Sequence, residues 1–266
     1  MCDAQFLRYR KLTLTLLILC LQAITLHVEA LKRLEKKSDV KLSSVEVCEV
    51  KNNIGVCYSL SGDYGNAMYY LEDANKTMRS LKLDVSEAKT LMNMGACAFE
   101  QADYAAAIDF YEQALLMCRS QATGNDKAAC QMNLGTVSML LNDLKRATVC
   151  YESALSLLTG RGDSLQEARC HHNLGALKFR QGQTRQAIAY FETALQLFRT
   201  CKDVRSAMLC VHGIKAAYLR VGDAFQACTL DSLFLLTPIN DTLFTHSSSS
   251  RVPGVANDPR HAPALP

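Results

Sequence analysis

The sequence has no tryptophan, and all five of its prolines lie beyond Leu236. With so few chain breakers before that point, the chain is predicted to be helical and not stranded. None of its twelve cysteines forms a C-x-x-C pair, which leaves zinc ribbons and thioredoxin-type sites without support. There is no P-loop, dinucleotide fingerprint, H-E-x-x-H or G-x-S-x-G elbow, so the chain is read as a non-enzyme and no cofactor is expected. The net charge of +3 is spread along the chain, so nucleic acid is not an expected partner. What the sequence does have is apolar residues, 49% of the total, enough for a packed core.

A 40-residue repeat dominates the sequence. The tetrads NNIG (52–55), MNMG (92–95), MNLG (132–135) and HNLG (172–175) return at that interval. An alanine follows each glycine by twelve residues (Ala67, Ala107, Ala147, Ala187). A large residue comes four later (Leu71, Tyr111, Tyr151, Phe191), then a second alanine (Ala74, Ala114, Ala154, Ala194). Glycine and alanine mark close helix approaches, and the large residue fills the space between. The turns read GDY, ADY, NDL and GQT; SLQE (164–167) and DVSE (84–87) read as helix-starting capping boxes between units. A fifth unit keeps GDA (222–224) and Ala227 but has Lys215 in place of the glycine. Each unit is predicted to be a helix–turn–helix that buries its apolar face only by stacking on its neighbours.

This Leu-Gly, Tyr, Ala, Phe/Tyr, Ala series resembles the tetratricopeptide repeat. Units of 40 residues are similar to those of kinesin light chain and of related mitotic-spindle adaptors. The resemblance implies an all-α, right-handed superhelical solenoid of about five hairpins. The expected organisation is an N-terminal helical cap or signal-like segment (1–47), a repeat array (48–236) and a disordered tail (237–266). The units fall near 48–87, 88–127, 128–167, 168–207 and 208–236.

The tetrads raise a question of their own, because asparagine is a mediocre helix former. In arrays of this family the first helices line a concave groove. In several relatives an asparagine at the matching place hydrogen-bonds the backbone of an extended peptide. The resemblance implies that role for Asn53, Asn93, Asn133 and Asn173, and an amide has both the donor and the acceptor it requires. The alternative is a structural asparagine that joins adjacent hairpins. On the same stripe stand Met92, Met132 and His172, then Phe99 and Phe179, with Lys89, Arg169, Arg180 and Arg220 as cations. The expected function is therefore a protein-interaction adaptor that binds a peptide with apolar and acidic anchors. The alternatives are a self-associating scaffold that uses the ends of the array, with a homo-oligomer through its C-terminal end, and a secreted or membrane-anchored binding module if the N-terminus is a signal peptide.

Two features bear on compartment. Cys130, Cys170 and Cys210 recur at the repeat interval, which suits small buried residues in a reducing, cytoplasmic setting. Against this, the basic FLRYRK, the apolar run 12–26 and Val28-x-Ala30 have the shape of a secretory signal. The other reading of that segment is an amphipathic helix that caps the first repeat. The run is too short and interrupted for a membrane span. RGD (161–163) and the sequons at Asn75 and Asn240 carry meaning only outside the cell. The HH pair at 171–172 lacks ligands at metal spacing.

Overall fold

The structure is a computed structural model that describes residues 18–33, 40–118 and 124–236, with backbone alone for 40–43 and 231–236. The tail reading for 237–266, the basic residues before position 18 and the side chains of Asp231, Leu233, Phe234 and Leu236 lie outside the described residues. Among those described there are eleven helices and no strand. Helix α1 spans 18–33. Five hairpins follow: α2 (Val40–Ser61) with α3 (Tyr64–Ser80), α4 (Asp84–Glu100) with α5 (Tyr104–Met117), α6 (Gly124–Leu140) with α7 (Leu144–Leu158), α8 (Ser164–Arg180) with α9 (Thr184–Thr200), and α10 (Val204–Arg220) with α11 (Ala224–Leu236). Helices α2, α4, α6 and α8 each pack most extensively on their own second helix, whereas α10 packs more on α9 than on α11; each second helix packs in turn on the next first helix.

The turn inside each hairpin has one construction. At the first, Gly62 adopts φ of +86°, and the Asp63 N–H donates to the Tyr58 carbonyl at 3.0 Å. The left-handed residue is what lets the chain close the last helical turn. Ala102 and Asn142 take the same conformation without being glycine, so the register of the turn overrides their own preference. The next residue caps the second helix. Asp63, Asp103, Asp143 and Asp223 accept from the N–H groups of Asn66, Ala106, Arg146 and Gln226. Each such cap contributes roughly 1 kcal/mol. Gln183 holds the place in the fourth hairpin and makes no side-chain cap.

The capping boxes expected between units are differently built. Asp163, not Ser164, caps α8 by accepting from the Gln166 N–H at 3.1 Å. It also accepts from Asn125 Nδ2, so the acid of the RGD triplet is a structural cap that ties two units together. At α4 the N-cap is Leu83, with no side-chain bond. Glu87 turns to Arg79 instead, at 2.9 Å, because its buried carboxylate finds a guanidinium at the end of α3.

The interior follows the repeat pattern. The alanines and large residues named above are all buried. A Cβ on Gly95 would stand 2.6 Å from the Tyr111 ring; on Gly135, 2.7 Å from Tyr151; on Gly175, 2.7 Å from Phe191. Each glycine therefore allows one aromatic ring to lie directly on the first helix. Helix α1 buries Ile24 and Leu31. Asn75, the sequon residue inside the described chain, sits in the middle of α3 with its side-chain oxygen buried.

Candidate functional site

The asparagine series lies on the first helices, but its members have unlike surroundings. Asn53 is exposed, and Asn93, Asn133 and Asn173 are half-buried. Asn93 Nδ2 donates to Asn52 Oδ1 of the preceding unit at 3.0 Å. The residues in Asn52's place in the next two units are Met92 and Met132, which offer no amide oxygen. The series stops in the fifth unit, where Gly213 stands. A Cβ there would come within 2.8 Å of the Phe191 ring, which is pressed between Gly175 and Gly213.

The apolar members of the stripe belong to the seams between units. Met132 is buried in the cluster around Tyr151 and Leu174, and Met92 packs against the cluster of Leu91 and Cys130. Phe99 leans on Tyr104, with ring centres 5.9 Å apart. Phe179 carries the Arg220 guanidinium 4.7 Å above its ring.

The cations divide into two kinds. Arg180 Nη1 donates to the Met139 carbonyl and Arg220 Nη1 to the Phe179 carbonyl, both at 2.6 Å. Each satisfies a carbonyl near the end of the preceding first helix, where the helix dipole is negative. These two arginines fasten units together. Lys89 and Arg169 are exposed and make no such bond.

One cleft gathers several of the expected residues. It lies between α8 and α10, has a volume of about 160 Å³, and is lined by Arg169, His172, Asn173, Phe198, Ser206 and Leu209. Its electrostatics follow from one contact. Cys210 Sγ lies 3.4 Å from His172 Nδ1. Burial pushes the Cys210 thiol up to about 12, so it stays protonated. Burial also holds the His172 imidazole below its usual range, hence neutral, with one ring nitrogen carrying the proton and the other accepting. The His172 ring, the Asn173 amide and the Arg169 guanidinium then all present hydrogen-bonding groups on the lining of one cleft. Ser206 is already engaged, since its hydroxyl donates to Asp203 Oδ2 at 2.7 Å and its N–H to Oδ1 at 3.1 Å. Ser206, Leu209 and Phe198 were not singled out by sequence reading, because they come from a neighbouring unit and a second helix.

The remaining chemistry-bearing residues are built into the scaffold. Cys170 Sγ donates to the Tyr151 carbonyl at 3.3 Å, and its thiol is pushed up to about 12 by burial. Cys118 and Cys130 are buried in one cluster, and burial pushes both thiols up. Among the described residues no group of three His, Cys, Asp or Glu is placed to hold a metal ion. None of the described helices is long and apolar enough to cross a membrane.

Comparison with known proteins agrees with this geometry. A family profile of the tetratricopeptide repeat matches residues 86–160 and 132–200. No curated protein sequence matches the chain significantly. Among solved structures, BtubC (BKLC) from P. vanneervenii is similar at a TM-score of 0.73 and 16% identity, covering 92% of this chain and 97% of that one. The nearly identical TPR-like repeats of a Podosopora anserina kinesin light chain match at 0.59 and 15%, covering 72% and 94%. The apo form of the quorum sensor NprR from B. thuringiensis matches at 0.66 and 19%, covering 84% and 64%. At these identities the likeness shows the fold: a right-handed superhelical solenoid of helix hairpins. The profile match over 86–200, the repeat register and the hairpin stacking agree that this chain contains tetratricopeptide repeats, stacked in the fold that the kinesin light chain structure also shows.

Proposed function

We propose that the array is a protein-binding adaptor whose row of first helices (α2, α4, α6, α8 and α10) holds an extended peptide segment of a partner. The observation that carries this reading is the cleft between α8 and α10, where Arg169 and Asn173 offer donors and His172 a further hydrogen-bonding group beside the exposed Leu209. A polypeptide is rich in carbonyl acceptors, and an acidic side chain suits Arg169. The wider row supplies Asn53 and Asn133 as further amides and Lys89 as a second cation, while the Asn93 amide is bonded to Asn52. NprR, with a similar fold, is a quorum sensor, which fits recognition as a use of such arrays. Fold likeness alone does not assign a ligand, so the reading rests on the cleft. Nothing in the lining activates a nucleophile, because the thiol nearest to it is buried and protonated.

The test is selection from a random peptide display library on the purified full chain, followed by titration of the enriched peptides. Peptides that share acidic and apolar residues should emerge. Arg169→Ala should weaken those with acidic residues, and Asn133→Ala and Asn173→Ala should each weaken all of them by about fivefold. Failure to enrich any sequence, or full-strength binding by all three variants, would sink the reading.

A further inference from the structure

The seams between hairpins repeat one contact. The end of each second helix meets the second turn of the next first helix through residues twelve positions apart. At the first seam these are Met78 and Thr90, both buried, with Thr90 Oγ1 3.1 Å from Met78 Sδ. At the third and fourth seams the same places hold Leu158 with Cys170 and Phe198 with Cys210, and each pair is buried in one cluster. The second seam has Cys118 and Cys130 there, in the cluster of Leu71, Leu91 and Met94. Among the described residues this is the one seam that brings two thiols to the shared contact, and both are free.

The two thiols differ in access. Cys118 closes the end of α5, where its N–H donates to the Ala114 carbonyl, and it is 5% exposed. Cys130 lies inside α6 with no exposure. Burial raises both thiols, so both are protonated at neutral pH and exchange slowly. An apolar cluster disfavours a lasting thiolate but accepts a disulfide, which is neutral. We propose that Cys118 and Cys130 form a reversible disulfide, with a small-molecule disulfide of the glutathione class as oxidant, and that this bond locks the second hairpin to the third. The hairpins so joined carry Asn93 and Asn133.

The chemistry is thiol–disulfide exchange in two steps. Local opening at the end of α5 brings Cys118 to solvent, where it loses its proton to water. Its thiolate attacks one sulfur of the small disulfide. That S–S bond breaks, a new one forms to Cys118 Sγ, and the leaving thiolate takes up a proton. Cys130 Sγ then attacks Cys118 Sγ, gives up its proton and expels the second small thiol, which takes a proton in turn. Two protein thiols are oxidised and one small disulfide is reduced to two thiols; no other reactant enters. Cys130 acts from within the seam, so its depth is no obstacle. The other seams lack the second sulfhydryl and are inert to this reaction.

The test equilibrates the full chain with graded ratios of reduced and oxidised glutathione, quenches it with acid, digests it without reduction and maps the peptides by mass. Cys201→Ser and Cys228→Ser remove the two exposed thiols from competition. A peptide pair joined through Cys118 and Cys130 should appear, rise with the oxidised fraction and vanish on reduction. The constant for forming this bond should be about a hundredfold larger in native buffer than in guanidinium, because a bond that fits the fold is favoured by the factor by which it stabilises the fold. Oxidation should raise the urea midpoint, and Cys118→Ser with Cys130→Ser should remove that rise. In Cys130→Ser alone, Cys118 should retain one glutathione. A Cys118 that stays reduced, or that holds glutathione in the presence of Cys130, overturns the proposal. So does preferential linkage of either thiol to another cysteine, an equal constant in native buffer and guanidinium, or an oxidised chain that melts no later than the reduced one.

Discussion

Asn93 Nδ2 donates to Asn52 Oδ1 across the seam between the first and second hairpins, at 3.0 Å. For Asn133 and Asn173 the corresponding position of the preceding unit is methionine. The three half-buried asparagines should therefore separate in a mutational test. Asn93→Ala should cost about 0.5–1.5 kcal/mol of stability, since it breaks a side-chain bond between units. Asn133→Ala and Asn173→Ala should leave stability nearly unchanged and lower peptide affinity instead. Urea melts beside peptide titrations check this; equal destabilisation by all three would make the series structural.

The tetrad glycines should be intolerant of the smallest side chain. Gly135→Ala drives a methyl to within 2.7 Å of the Tyr151 ring, and Gly175→Ala does the same against Phe191. Each should cost about 1–3 kcal/mol through overpacking. Gly65→Ala is the control: it lies in α3, and a Cβ there meets nothing closer than 3.9 Å. It should stabilise, by up to about 1 kcal/mol, because alanine is the better helix former.

Stability should fall on mild acidification. Burial lowers the proton affinity of His171 and His172 in the folded state. The unfolded chain binds their protons at about pH 6.5, so the folded state binds fewer just below that value. Their contribution is complete above roughly pH 6.5 and is lost as pH falls below it toward the depressed folded values. Denaturant midpoints at pH 7.5 and 5.5 should differ, and His171→Gln with His172→Gln should flatten the difference. An unchanged slope in the double variant would assign it to carboxylates.

Thiol reactivity should follow depth. Cys201 and Cys228 are exposed and should label first in the native protein. Cys130, Cys170 and Cys210 are fully buried, with thiols raised by desolvation, and should label only on unfolding. Mass-resolved alkylation before and after guanidinium gives the order. Rapid native labelling of Cys170 would show that the fourth unit opens locally.

The repeat itself was legible without coordinates. Glycine, alanine and a large residue at fixed spacing can be satisfied only by helices that touch at the small residues, and the structure puts Tyr111, Tyr151 and Phe191 on Gly95, Gly135 and Gly175 as that spacing requires. The turn register was legible for the same reason, since a left-handed residue followed by a capping aspartate is a local device. What the sequence left open was every relation between units. Arg180 and Arg220 read as free cations of a groove and are instead bonded to carbonyls of preceding helices, 41 positions away. Glu87 read as a cap and pairs with Arg79. Asn93 finds an amide partner while Asn133 has methionine in that place. The cleft needs Arg169 and His172 from one helix, Phe198 from the next, and Ser206 and Leu209 from a third. Helical periodicity assigns a residue to a face of its own helix, because that depends on backbone geometry alone. Which side chain of another unit comes to meet it depends on how the hairpins stack, and only the tertiary structure fixes that distance and angle.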